Sequence, residues 1–128
     1  MTYDLQVFLF ERPDENKLSK ILNTLKLVKE ESDPEEVDYR MMSVDTKEYL
    51  FLVTEVNDDF WDLAVKYANA DGKQIVFEYA IEGAHVYAPQ AMDFSKGVVD
   101  AAGGEGFVFD PQNDAFVYPR LIQLDPNE

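Results

Sequence analysis

Short apolar runs with a period of two recur along the chain, and they set the first limit on its fold. "YDLQVFLF" (Tyr3–Phe10) alternates and then turns wholly apolar, as a strand does on entering a core. "KQIVFEYA" (Lys73–Ala80) repeats the pattern, with Ile75, Phe77 and Tyr79 on one face. Two further strands are expected over Val37–Val44 and Glu48–Val56, joined as a hairpin at "DTK". Between these runs the period changes. Leu18, Ile21, Leu22, Leu25 and Val28 follow the spacing of one buried helix face, with Lys17, Lys20, Lys26 and Lys29 off it. Pro13 and Asp14 open that helix, and the acid run Glu30–Asp38, broken by Pro34, ends it as a surface loop. Asn57 is a suitable cap for a second helix through "FWDLAVKYANA", stopped by Gly72.

The resulting order is β-α-β-β-α-β, which is ferredoxin-like. A short strand at "HVYAP", a helix over Gln90–Ala102 and a C-terminal hairpin follow. The sequence therefore predicts one α+β domain over residues 1–128, a mostly antiparallel sheet with helices on one face. At 128 residues and 46% hydrophobic content, a core of this kind is within reach without covalent staples. None are on offer, because the chain has no cysteine, which also excludes thiolate metal sites.

Charge decides which partners suit the chain. With 26 acidic and 11 basic residues the formal net charge is −15. Nucleic acids and anionic lipids are bound by Lys and Arg that displace counterions, so neither is expected as a partner. If charge selects a partner, that partner is a basic protein. No apolar stretch reaches the roughly 18 residues of a spanning helix, and Asp4 stands where a signal peptide carries positive charge. The expectation is a cytoplasmic protein that does not engage membranes.

"DPQND" (Asp110–Asp114) lies between "FVF" and "AFVY" and could hold a ligand or simply turn the chain. Counted as a calcium loop from Asp110, its sixth position is Ala115 where glycine is needed, and its twelfth is Leu121 where glutamate is needed. A turn needs only what is there: Asp110 to accept from backbone amides, Pro111 to preset φ, and Asn113 or Asp114 to tolerate a left-handed conformation. His85 is the one histidine, and no G-x-S-x-G accompanies it, so a structural role is expected. "DAAGGEGF" (Asp100–Phe107) lacks the lysine of a phosphate loop and reads as a helix stop followed by a bend. No metal or other cofactor is implied.

Two acidic clusters remain as candidate interface residues. One is Glu30, Glu31, Asp33, Glu35 and Glu36 in the acid run. The other is Glu55, Asp58, Asp59 and Asp62 around Trp61, where a well-capped amphipathic helix with Trp61 in the core competes with an aromatic anchor ringed by carboxylates.

The opening "TYDLQVFLF" and the closing "GGEGFVFDPQNDAFVYP" resemble small bacterial proteins with a "YDL" first strand and a C-terminal glycine pair, strand and "DPQ" turn. Some of those are similar to immunity proteins that accompany toxins. The resemblance implies kinship of fold and supplies no catalytic residues. Together these features favour a non-catalytic acidic module that binds another protein, in its sharpest form an immunity-type inhibitor of a basic partner. Two alternatives stand beside it: a structural or regulatory module that self-associates, and a small metal-dependent enzyme or small-molecule binder built on Asp, Glu and His85.

Overall fold

The computed structural model of the chain describes residues 2–30, 38–55, 75–113, 115–119 and 121–123. Strand β1 (Thr2–Leu9) leads to helix α1 (Glu15–Leu25), then β2 (Leu27–Glu30), β3 (Asp38–Ser43), β4 (Tyr49–Glu55) and β5 (Phe77–Ala84). A 3-10 turn at His85–Tyr87 opens into helix α2 (Ala88–Ala101), and β6 (Gly106–Asp110), β7 (Ala115–Tyr118) and β8 (Ile122–Gln123) complete the described elements. The strands form one sheet in the order β2-β3-β4-β5-β1-β6-β7-β8, with every described pairing antiparallel.

An α+β fold built on an antiparallel sheet is as expected, but the ferredoxin-like order is not what forms. That arrangement sets the first of its four strands between the third and the fourth. Here β1 lies antiparallel between β5 and β6, and the strand after α1 pairs far away with β3. The divergence begins at Lys26. Asp14 caps the start of α1, accepting from the Lys17 N–H at 3.0 Å, but Lys26 ends the helix in the left-handed conformation (φ 57°). Leu27 then enters β2 opposite Ser43. Val28 therefore belongs to a strand and not to the helix face. Over so few residues, "LKLV" satisfies either period, and pairing with β3 decides between them.

Two more boundaries move. β5 runs Phe77–Ala84, later than expected, because β1 on one side and β4 on the other keep its backbone bonded through Glu82. "HVYAP" is the entry to α2 and not a strand; Pro89 fits the first turn, where its missing N–H is no loss. The expected helix stop does form. Gly103 and Gly104 take φ of 73° and 77°, and their N–H groups return to Asp100 and Val99 carbonyls.

Both described helices cover one face of the sheet. Leu5, Val7 and Leu9 of β1 point into the core with Phe51, Val53, Ile81 and Val108, against Ala91, Phe94 and Val98 of α2. Phe94 meets Phe51 with ring centroids 5.3 Å apart. α1 adds its half-buried Leu18, Leu22 and Leu25 and lies so close to α2 that a Cβ on Gly97 would come within 2.5 Å of Ile21. The Tyr118 hydroxyl donates to Asp100, tying the C-terminal hairpin to the end of α2. None of the described helices is long and apolar enough to cross a membrane.

The alternation that turns Leu5 and Val7 inward turns Asp4, Gln6 and Phe8 to the other face. That second face has two halves. At one, Phe8, Phe107, Phe109 and Phe116 form a chain of rings with centroids 4.9 to 5.3 Å apart. The other half is polar.

Candidate functional site

The polar half is built by register. Across it, Glu30 of β2 pairs with Arg40 of β3, Arg40 with Leu52 of β4, Leu52 with Glu82 of β5, and Glu82 with Asp4 of β1. One rung along, Thr54 pairs with Ala80 and Ala80 with Gln6. Because Ala80 is small, the surface dips there, and Asp4, Gln6, Thr54, Ala80, Glu82 and Pro111 line a concavity of about 280 Å³.

The two acidic residues of this concavity stand directly opposite one another in the β1–β5 pairing. Asp4 turns its N–H and C=O away from β5, toward Gln112, so its pairing with Glu82 is of the non-hydrogen-bonded kind, in which side chains lie closest. Like charges directly opposite one another oppose sheet formation. Neither carboxylate takes part in a hydrogen bond or ion pair among the described residues. On the next rung, Gln6 is only 7% exposed, and its Oε1 has no hydrogen-bond partner among the described residues. Buried acceptors in folded proteins are nearly always matched.

The rim is made rigid by "DPQND". Asn113 N–H bonds the Asp110 carbonyl at 3.3 Å, and Asp110 Oδ1 accepts from the Gln112 N–H at 3.0 Å, which makes the expected turn. Asn113 does not adopt the left-handed conformation, and Asp114 lies outside the described residues. The turn also does something its sequence does not announce. Continuing the β1–β6 register past Gln6–Phe109 would bring Pro111 opposite Asp4, and proline has no N–H to give. The Gln112 side chain supplies both missing bonds: its Oε1 accepts from Asp4 N–H at 2.8 Å and its Nε2 donates to Asp4 C=O at 2.7 Å.

Asp110 anchors this latch. It is 3% exposed and accepts from the Tyr3 hydroxyl (3.3 Å), Gln112 Nε2 (2.6 Å) and Asn113 Nδ2 (2.7 Å) besides the Gln112 N–H. Burial, then the Asp110 charge and this hydrogen bond, push the Tyr3 hydroxyl up to about 12. His85 is exposed and touches the Tyr3 ring edge-on, centroids 5.9 Å apart. It joins no cluster: among the described residues, no group of three or more His, Asp or Glu could hold a metal ion.

Of the residues expected at an interface, Glu30 closes edge strand β2 opposite Arg40 and accepts from the Tyr49 hydroxyl at 2.9 Å, while Arg40 lies over the Tyr49 ring. Glu55 ends β4, its backbone paired with Tyr79. Glu31, Asp33, Glu35, Glu36, Asp58, Asp59, Trp61 and Asp62, with the expected helix from Asn57, lie outside the described residues. The structure instead assembles Asp4, Gln6 and Glu82, which come from distant parts of the chain. Their one local signal is alternation: "DLQV" and "AIEG" set polar side chains opposite core-facing ones.

Comparison of the chain with protein-family models, with curated proteins and with solved structures finds no match.

Proposed function

We propose that the chain is a non-catalytic module that binds a basic protein against the acidic half of its second face. The observation that carries this reading is the opposed Asp4 and Glu82 carboxylates, left without a counter-charge from the described residues. For folding alone, such a pair is a disadvantage of about 0.2–1 kcal/mol. A cation brought by a partner turns that repulsion into attraction for both groups. The net charge of −15 adds steering at longer range, which raises association rates by about 10 to 10³-fold at low ionic strength. An immunity-type inhibitor that covers a basic toxin is the sharpest form of this reading.

The test is capture from an extract of the source cells, by the parent chain and by an Asp4→Asn/Glu82→Gln double variant. The expected result is one basic protein held by the parent at low salt, released at moderate salt, and lost from the variant. Equal retention by both chains would sink the reading.

A further inference from the structure

We infer that the concavity receives one arginine side chain of that basic partner, its guanidinium lying between Asp4 and Glu82 and donating to Gln6 Oε1. The inference rests on the binding reading above and specifies the chemistry of a single pocket.

Three independent features point to this occupant. The first is the buried Gln6 carbonyl, which lacks a donor among the described residues although 93% of the residue is withdrawn from solvent. Ala80, its cross-strand neighbour, has no polar side-chain atom to offer, so a donor must come from outside the pair. The second is the composition of the acceptors. Two carboxylates and one amide oxygen are acceptors, the Thr54 hydroxyl beside them can accept as well, and guanidinium is the side-chain group with five donors, no acceptor and a flat fork matched to carboxylates. A hard divalent metal takes about six to eight oxygens if it is calcium, and no cluster of three acidic or histidine groups is available among the described residues. The third feature is size. A cavity of about 280 Å³ falls under the roughly 300–1,000 Å³ of pockets that enclose small molecules. It suits one side chain, whose aliphatic stem would rest on Ala80 and the Pro111 ring.

The site is also held in place before anything binds. Gln112 clamps the Asp4 backbone from both its N–H and its C=O. Glu82 and Ala80 sit on a strand bonded along both edges. Little ordering is left to be done on binding, which favours affinity from few contacts.

The test uses Nα-acetyl-arginine amide as probe and two-dimensional amide NMR as readout. Saturable shifts should centre on the Gln6 side-chain amide and on the Asp4 and Glu82 backbone amides. Nα-acetyl-citrulline amide, which keeps the shape and loses the charge, should move none of them. Glu82→Gln, at an exposed position that leaves the core untouched, should weaken the probe by about tenfold, and Gln6→Leu by a similar factor. Shifts that spread over the whole acidic surface without saturating would overturn the inference. So would an equal response to citrulline, or unchanged affinity in Glu82→Gln. Failure here is distinct from failure of the binding reading. A chain that captures a basic protein but ignores the arginine probe keeps that reading and loses this pocket. A chain that binds the probe but captures no protein overturns the partner as the source and assigns the pocket to a free guanidinium compound.

Discussion

Asp110 and the Asp4–Glu82 pair are carboxylates of neighbouring strands, and they are set in opposite ways. Asp110 is buried and surrounded by four donors from Tyr3, Gln112 and Asn113. Asp4 is half-buried and Glu82 exposed, and the described residues offer neither of them a donor. The same chemical group thus fastens the chain in one place and stands without a counter-charge among the described residues in the other. What separates the two roles is the number of donors the fold brings, since a charge satisfied within the chain has little left for a partner.

That contrast can be broken most directly at Asp110. Asp110→Ala removes the acceptor of all four bonds and should lower stability by about 3 kcal/mol, read as a lower urea midpoint with an unchanged slope. A silent Asp110→Ala would erase the distinction between the two sites. Gln112→Ala deletes the side chain that replaces the missing Pro111 pairing and should lower stability by about 1.5 kcal/mol. It should also raise hydrogen exchange at the Asp4 amide, which loses its acceptor.

Tyr3 sharpens the contrast through pH. Its hydroxyl titrates near 12 in the folded chain and near 10.0 when unfolded. The folded state keeps a proton that the unfolded state releases, so this contribution is whole below pH 10.0 and fades as pH rises toward 12. Tyr3→Phe should remove that part of the alkaline loss, seen by comparing unfolding midpoints of the two chains from pH 9 to 12. At neutral pH the same variant should lower stability by about 0.5–1 kcal/mol, the worth of one hydrogen bond. The smallest effect has the opposite sign. Glu82→Gln relieves the facing charges and should raise stability by about 0.2–1 kcal/mol at low salt. The gain should shrink in about 1 M salt, where screening reaches about 3 Å. A loss of stability instead would mean that Glu82, like Asp110, fastens the fold.

Legibility in the sequence followed distance along the chain. The Asp110–Asn113 turn, the Asp14 cap and the stop at Gly103–Gly104 were readable because each is made by residues within a few positions of one another. The end of α1 was not. Leu25, Leu27 and Val28 suit a helix face and an edge strand equally well, and only β3 chooses between them. The acid run drew attention by its density of charge, yet its described member Glu30 is engaged by Tyr49 within the chain. Asp4 and Glu82 sit in no such run, each being one polar position of an alternating strand.

By itself, then, the sequence determined most of the described elements and their amphipathic sense: which residues turn inward, where the local turns fall, and that helices must cover a sheet. Those follow from backbone preference and side-chain period, which act locally. Tertiary structure alone decided that Glu82 lies opposite Asp4, that Ala80 leaves a hollow beside Gln6, and that Gln112 stands in for Pro111. These depend on register between strands far apart in the chain, and a shift of one residue would have sent each of those side chains to the opposite face.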